Sequence, residues 1–387
     1  MIYTVTLNPS LDLFTELDNL VLGERNKIQS ERTLPGGKAI NVSRVLAALR
    51  IPTVATGFVG GFQGQFIKKW LQDEDITTDF VEMKGVNRTN IKIFENNRET
   101  MINFPGPKIS AEEIDELLYY LSRVREGDTI IFGGSVPPME ENMDEDIYDR
   151  LLSVARGNKA DFVADVPSQY LLNMVKEKPL LIKPNGEDIS KIFNVEINDK
   201  YDYIPYGKKL REMGAKNVII SYGAQGSMLF TEDKVYASNE IDDGREIINT
   251  VACRDSMIAG FLGNMVKNND PVESYKLAIA AASATARVLD LPTHDQILEM
   301  FDLVEIEEIE YIKLVFVPFE EQLLKEMSHL RVMIDLGNEP DLYLQISSIS
   351  VGIPQINQLK TNYVDHKLNG LIINDMSELI MAIDFYL

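Results

Sequence analysis

The sequence predicts an α/β protein whose main body is a three-layer α/β/α sandwich around a parallel sheet. Short apolar, β-rich runs alternate with amphipathic helical stretches from Met1 to Ile309, which is the pattern of repeated βαβ units. Polar or glycine-rich segments follow several of these runs, and α/β proteins place ligand contacts at such strand ends. Beyond 309 the chain continues as a shorter α/β segment.

The composition excludes several classes of partner. The chain has 387 residues, of which 45% are hydrophobic and 25% charged, and its net charge of -22 argues against nucleic acid and against anionic membrane surfaces. A single cysteine, Cys253, excludes an internal disulfide and is typical of a reducing compartment. The chain shows no apolar run of membrane-spanning length and opens on strand-like residues. We therefore expect a cytoplasmic protein.

The first candidate ligand contact is Asp12. It follows a β-rich run, Tyr3–Leu7, that Pro9 ends. A carboxylate just past a strand end can bind a ligand, whereas taken alone the segment also reads as an Asx turn. The stretch 13–32 alternates loosely, and its Lys27 is by default part of a solvated strand face.

A pair of glycines, Gly36 and Gly37, precedes an amphipathic helix that carries Lys38 and Asn41. Glycines there let the backbone approach a ligand at the helix N-terminus. A lone glycine pair more often marks a turn, so the Lys-x-x-Asn sequence that follows is what favours a binding site.

Later segments supply further candidates. Arg88 stands between two predicted strands, and a guanidinium can hold phosphate oxygens as a bidentate fork. Ser135 follows a buried-type strand and two glycines. Ser110 with Glu113 three residues on predicts a helix start with a capping box.

Two polar turns occur in the second half of the chain. Residues 183–188 read Lys-Pro-Asn-Gly-Glu-Asp, in which Asn-Gly is by itself a common turn. Ser221 ends a predicted strand, and Gly223 and Gly226 fit the tight turn into the next one.

The chain is organised around 249–261. A polar turn leads into an apolar run with helical spacing and puts Asp255 in the first helical turn. Free backbone N–H groups and the positive end of the helix dipole point outward there, which favours phosphate. A carboxylate beside bound phosphate can accept a proton from a hydroxyl nucleophile.

These segments, in this order and at these spacings, resemble the ribokinase-like PfkB sugar kinases over about 1–309, and are most similar to the bacterial 1-phosphofructokinase group. The resemblance implies a ribokinase-like sandwich with a small β-sheet lid from about 11–32 and 88–103. In the family the catalytic turn reads Gly-Ala-Gly-Asp. Here Ala252, Cys253 and Arg254 precede Asp255.

The resemblance also implies roles. The expected reaction is ATP-dependent phosphorylation of a ketohexose phosphate, with fructose 1-phosphate giving fructose 1,6-bisphosphate, and dimerisation through the lid. Asp255 is the expected base, and Arg254 lies beside it. In the family's Asn-x-x-Glu element Asp188 stands at the position of the glutamate and is one methylene shorter, and it is expected to organise water bound to magnesium. The expected sugar contacts are Asp12, Lys27, Gly36, Gly37, Lys38, Asn41, Arg88 and Ser135, and the expected ATP contacts are Lys183, Asn185, Ser221, Gly223 and Gly226.

The altered turn keeps a second function open. Loss of one preorganised oxyanion donor typically lowers a rate by ~10²–10³, and a residue other than glycine at positive φ costs ~1–3 kcal/mol. Arg254 adds a compensating charge or fills the phosphate site. The alternative is a catalytically inactive sugar-phosphate-binding or scaffolding protein of the same fold.

The tail, 310–387, resembles the C-terminal end of a GT-B-like secretion protein of the bacterial accessory Sec system. It lacks the rest of that fold, so we expect an appended α/β fragment without transferase activity. Its expected strands are 312–317, 330–336, a strand after Pro354 and 371–373, and its expected helices include 320–328 and 377–386. A protein partner for the tail is the corresponding expectation.

Overall fold

The computed structural model describes residues 1–96, 98–139, 147–248, 250 and 252–309, together with the tail segments 333–335, 355–357 and 370–372. The chain divides into two units, Met1–Ile309 and Glu310–Leu387. Each unit is described by itself.

The first unit contains strands that form one large and one small sheet. In chain order they are β1 (Ile2–Thr6), β2 (Ser10–Glu16), β3 (Ser30–Gly36), β4 (Thr53–Val59), β5 (Thr77–Glu82), β6 (Arg88–Glu95), β7 (Arg98–Ile102), β8 (Thr129–Gly133), β9 (Asp161–Asp165), β10 (Leu181–Ile182), β11 (Val218–Ser221), β12 (Ser227–Phe230), β13 (Val235–Ser238) and β14 (Glu307–Glu308).

Helices connect most of the parallel strands. They are α1 (Lys38–Ala48), α2 (Gly61–Asp73), α3 (Ala111–Leu121), α4 (Ile147–Gly157), α5 (Ser168–Val175), α6 (Gly186–Phe193), α7 (Ile204–Glu212), α8 (Cys253–Asn268), α9 (Pro271–Ala286) and α10 (His294–Phe301), with short 3₁₀ turns at Lys200–Tyr203 and Gly223–Gln225. The capping box predicted at Ser110 is present at the start of α3. No helix among the described residues has the length and apolar character needed to cross a membrane.

The large sheet has the order β14-β13-β12-β11-β10-β9-β8-β1-β4-β5. Strands from β11 to β5 run parallel, and β12 to β14 add an antiparallel edge. The central strand β8 is buried along its whole length, as expected of a parallel sheet covered on both faces. Because the parallel strands point the same way, their carboxyl ends meet at one edge, where the polar turns lie.

The small sheet has the order β3-β2-β6-β7. Strand β2 pairs antiparallel with β3 and parallel with β6, and this register sets Asp12 opposite both Leu34 and Asn90. We call this small sheet the lid, after the role that the sequence resemblance implies for it. Strands β6 and β7 form a hairpin within the expected lid range 88–103. In the other expected lid range, 11–32, most of 17–29 connects β2 to β3 without strand structure, and β3 extends beyond this range to Gly36.

In the tail, the described segments are three parallel strands, β15 (Met333–Asp335), β16 (Gln355–Asn357) and β17 (Gly370–Ile372). They coincide with strands expected there from the sequence. The strand expected at 312–317 and the helices expected at 320–328 and 377–386 lie outside the described residues.

Helix α8, which carries Asp255, is held by close packing against α9. A Cβ atom added at Gly260 would lie 2.4 Å from the carbonyl oxygen of Leu277, so the two backbones approach more closely than a side chain allows. Phe261 and Leu262 on α8 and Tyr275 on α9 are buried in the same core. This contact fixes the position of the first turn of α8.

Substitution of Gly260 by alanine should therefore lower the free energy of unfolding by about 1–3 kcal/mol, because the extra methyl group separates α8 from α9. Urea denaturation measures the change. Gly157→Ala is the matched control, since a Cβ atom there meets nothing within 4 Å and should be neutral or slightly stabilising. Equal stability of the G260A and G157A proteins would contradict this account.

Candidate active site

The predicted catalytic and nucleotide-binding side chains come together at the carboxyl edge of the large sheet. Asp165 ends β9, Lys183 directly follows β10, and Ser221 ends β11. The first turns of α1 and α8 open onto the same edge, since Asn41 of α1 donates a hydrogen bond to Asp255 of α8. The site is thus assembled from five elements of the first unit, β9, β10, β11, α1 and α8.

Asp255 lies in the first turn of α8, and its carboxylate is both buried and oriented by a neighbour. Helix α8 begins at Cys253, and Ala252 caps it in the left-handed region at φ 65°. Asn41 Nδ2 lies 2.7 Å from Asp255 Oδ2, and the Asp255 side chain is buried. Burial, together with the neighbouring Asp165, raises the pKa of Asp255 to about 6. The carboxylate is therefore ionised at neutral pH yet basic enough to accept a proton.

A group of positive side chains, Lys38, Lys183 and Arg254, faces Asp165. Lys38 Nζ lies 3.0 Å from Asp165 Oδ1. Burial alone would raise the pKa of Asp165, but the three cations outweigh it and lower the pKa below its ordinary value. The second oxygen, Oδ2, is buried without a hydrogen-bond partner in the described part of the chain.

Lys183 is the least satisfied of these cations. It is 2% exposed, and its Nζ has no hydrogen-bond partner among the described residues. Burial and the nearby Arg254 lower the pKa of Lys183 to about 7. A buried ammonium group without a partner is unfavourable, so an anionic ligand would relieve it.

Arg254 contacts Asp188. Its Nη2 lies 3.1 Å from Asp188 Oδ2, while Nε is buried and has no partner within the described ranges. The same Asp188 oxygen accepts a hydrogen bond of 3.0 Å from the backbone N–H of Asn185, and Asn185 Oδ1 accepts one of 2.7 Å from Asp188 N–H. Asn185 and Asp188 therefore form the capping box of α6.

These side chains do not fit a magnesium site made by the protein. Among the described residues, no three His, Cys, Asp or Glu side chains come together as metal ligands. The Asp188 carboxylate already carries a guanidinium group, which repels a divalent cation. The expected role of Asp188, to organise water bound to magnesium, stays a prediction.

Asp12 lies on the central part of the lid and is held by three neighbours. Ser10 Oγ and Asn90 Nδ2 donate to Oδ1 at 2.6 and 3.1 Å, and Lys92 Nζ lies 3.0 Å from Oδ2. A Cβ atom at Gly36 would lie 2.4 Å from Asp12 Oδ1, so only glycine allows β3 to pass so close.

A cavity of about 30 Å³ joins Asp12 and Asn41 to Ala252, with Lys92 and 289–291 in its lining. It has room for about one water molecule in this conformation.

Three other predicted sugar contacts lie near or on the lid. Arg88 donates to the backbone oxygens of Asn8 and Phe104 at 3.2 and 3.1 Å, and Asn8 Nδ2 donates to Ser135 Oγ at 3.4 Å. Arg88 and Ser135 are thus connected through Asn8. Lys27 is exposed in the connection between β2 and β3, and none of the described hydrogen bonds or ion pairs joins it to them.

Gly37 caps α1 at φ 131°, and a Cβ atom there would lie 2.8 Å from Thr6 Cγ2. The backbone of this turn therefore passes directly over the end of β1, as a close ligand approach requires.

The predicted nucleotide loop follows β11. Ser221 forms an isolated β-bridge with Asn185, which brings the loop to the start of α6. Gly223 and Gly226 adopt φ values of 71° and 115°, and a Cβ atom at Gly226 would lie 2.1 Å from Ser238 O. Both glycines are thus required by the turn.

Asp165 was not among the predicted site residues. It ends a strand with a carboxylate, which is the feature that identified Asp12, so the sequence did contain the signal. Residues 289–291 carry no comparable motif. A larger cavity of about 270 Å³ lies away from these groups, with Ile248, Ala284, Arg287 and Met300 in its lining, and its residues were not predicted either.

The model of the pfkB carbohydrate kinase family matches residues 5–291. The chain belongs to this family. The 1-phosphofructokinase of Bacillus subtilis is 37% identical over 306 residues, which cover 79% of this chain and 99% of the relative. A D-tagatose-1-phosphate kinase of Bacillus licheniformis is 34% identical over 287 residues, covering 74% of this chain and 92% of the relative.

The fold agrees with the family. The crystal structure of phosphofructokinase-2 from Escherichia coli in complex with substrates and products matches with a TM-score of 0.72 at 24% identity, covering 78% of this chain and 98% of that chain. The predicted family resemblance and the ribokinase-like α/β/α fold with a second small sheet are confirmed. Family and relatives indicate a carbohydrate kinase.

The model of an accessory Sec system protein family matches residues 293–387, which confirms the resemblance stated for the tail. This match begins before the first unit ends at Ile309. Ile297 and Met300 of α10 lie in the core with α8 and α9, so α10 belongs structurally to the kinase unit.

The left-handed Ala252 carries strain that glycine would not. We expect Ala252→Gly to raise the free energy of unfolding by about 0.5–1 kcal/mol, because an alanine side chain disfavours positive φ. Ala259→Gly, within α8, is the matched control and should be destabilising. Urea denaturation of the two variants makes the comparison, and a destabilised A252G protein would contradict the assigned conformation.

Proposed function

We propose that this protein transfers the γ-phosphoryl group of ATP to a hydroxyl group of a ketohexose phosphate, with fructose 1-phosphate as substrate and fructose 1,6-bisphosphate as product. The observation that carries the proposal is Asp255, a buried carboxylate oriented by Asn41 in the first turn of α8, with an elevated pKa. The 1-phosphofructokinase relative supports the choice of substrate.

In this mechanism the acceptor hydroxyl group lies between Asp12 and Asp255. Its oxygen attacks the γ-phosphorus, its proton passes to the Asp255 carboxylate, and the bond to the β-phosphate oxygen breaks to release ADP. Backbone N–H groups at the start of α8 and the cations Lys38 and Lys183 offset the negative charge of the transferring group.

We assign the remaining binding roles from the family resemblance together with the positions of the residues. ATP, expected as its magnesium complex from the family resemblance, would lie along Lys183, Asn185, Ser221, Gly223 and Gly226. The sugar would lie under the lid against Asp12, Gly36, Gly37 and Asn41, with Ser135 and Lys38 near it and Arg88 and Lys27 towards its phosphate.

Assembly and location are further parts of the proposal. Strand β7 is exposed along its whole length, and Met101 and Ile102 are 50% and 44% exposed. This apolar edge of the lid supports a homodimer formed through the lid. A cytoplasmic location and a protein partner for the tail stay predictions.

The second candidate is a protein that binds sugar phosphate or serves as a scaffold without catalysis. Two features favour it: the strained Ala252 cap and the ion pair that holds Arg254 on Asp188. Both change the turn that would receive the transferring phosphoryl group.

Turnover distinguishes the two candidates. We expect purified protein to release ADP from Mg-ATP in the presence of fructose 1-phosphate, and Asp255→Asn to lower kcat by about 10²–10⁴-fold because the proton acceptor is lost. The triple variant A252G/C253A/R254G, which restores Gly-Ala-Gly, is the companion. Activity confined to this variant would support the binding or scaffolding role, and a fully active D255N protein would exclude Asp255 as the base.

Nucleotide binding should depend on pH through Lys183. Because its pKa is lowered to about 7 in the unliganded protein and a bound phosphate favours the charged form, affinity for ADP should fall by up to about tenfold per pH unit above pH 7. Ionisation of the phosphate itself would strengthen binding over this range. Titration calorimetry of wild type and Lys183→Met tests this, and the variant should lack the decline. Because ionisation of the phosphate affects both proteins equally, identical pH profiles of wild type and Lys183→Met would refute it.

A further inference from the structure

Arg254 has an arrangement that packing alone does not explain. The side chain follows the strained cap of α8 and reaches across to Asp188 through Nη2 at 3.1 Å. Its Nε is buried, and no hydrogen-bond acceptor among the described residues faces it. Burial of an N–H group without an acceptor is unfavourable, so a ligand atom at this position would stabilise the side chain.

Lys183 provides a second donor of the same kind. It is 2% exposed, and within the described chain its Nζ has no partner. Asn185, two residues after Lys183, forms the capping box of α6 with Asp188, the partner of Arg254, so the two side chains lie at the same edge of the sheet. Two cationic side chains that each have an unsatisfied buried N–H donor, beside the amino end of α8, fit an anion that has several oxygens.

The environment of Asp188 decides which form of the anion fits. Magnesium usually binds phosphate together with one or two carboxylates. Here the Asp188 carboxylate is paired with a guanidinium and caps α6, and no cluster of three metal-ligating side chains occurs among the described residues. A divalent cation close to Asp188 would be repelled by Arg254, whereas a metal-free polyphosphate is attracted by Arg254, Lys183 and Lys38.

We propose that Arg254 and Lys183 are direct ligands of a terminal phosphate group of the nucleotide, and that Arg254 supplies charge compensation which gives the protein affinity for nucleotide free of metal. The guanidinium moves from Asp188 to the phosphate oxygens, and Lys183 donates to the same group. The identity of the ligand as a nucleotide rests on the proposed function, but the inference concerns binding and requires no turnover.

The test is isothermal titration calorimetry with ATP, once with EDTA and once with excess magnesium. We expect wild type to bind metal-free ATP at least as tightly as Mg-ATP. Arg254→Gln, which keeps a helix-forming side chain and removes the charge, should lose about 10–100-fold in affinity for metal-free ATP, as expected for a charge-assisted contact. Its affinity for Mg-ATP should fall less.

Arg123→Gln is the control, since Arg123 is an exposed arginine paired with Asp79 on the surface and should leave both affinities unchanged. Thermal denaturation and binding of fructose 1-phosphate verify that the R254Q protein is folded. Equal affinity of wild type and R254Q for metal-free ATP would overturn the proposal, as would wild-type binding that requires magnesium or no binding of ATP at all.

Failure of the proposed function looks different. ATP binding that depends on Arg254, with no ADP release on fructose 1-phosphate, would support the inference and contradict the kinase activity. Turnover combined with ATP binding that is independent of Arg254 would support the kinase activity and contradict the inference.

Discussion

The hydrogen bond between Asn41 and Asp255 is the contact on which the arrangement of the site depends. It joins residues 214 positions apart at 2.7 Å and connects the first turn of α1 to the first turn of α8. The two helices also pack against each other, with Val42 and Leu46 of α1 in the same core as Phe261 of α8. The hydrogen bond that Asn41 donates therefore orients the carboxylate between packed helices, and it stabilises the negative charge that burial disfavours.

Much of this could be predicted from the sequence. Alternating apolar runs give the parallel sheet, and the glycine pair and polar turns at strand ends locate the site edge, because both features are local. The contact of Arg254 with Asp188 could not be predicted in this way. It joins residues 66 positions apart, and its geometry depends on how far a flexible side chain reaches across two helix starts.

Asp165 illustrates a different limit. Its position at a strand end was visible in the sequence, but its importance comes from the three cations around it, which are contributed by different elements. The lid poses the same difficulty. The pairing of Asp12 with Lys92 follows from the register of β2 against β6, which residue patterns do not determine.

The altered turn and the shortened acid are physically connected. A helix that starts at a left-handed alanine still presents its first N–H groups at the sheet edge, so the backbone of the phosphate site is retained. What changes is the charge: Arg254 adds a cation and Asp188 holds it in place. The two departures from the family pattern therefore compensate for each other, which is more easily explained by a modified site than by decay of an unused one.

The site contains several cations although the molecule as a whole is strongly negative. The net charge of -22 repels phosphorylated ligands over most of the surface. At the carboxyl edge Lys38, Lys183 and Arg254 surround Asp165 and outweigh the effect of burial on its pKa, and because Lys183 is buried, salt screens its attraction for an anion less than that of a surface charge. In the proposed function, an anionic ligand is therefore attracted at the first turn of α8, where the cations lie next to Asp255. Selectivity for phosphorylated ligands would then arise at the carboxyl edge of the large sheet, because the negative charge of the remaining surface opposes their binding elsewhere.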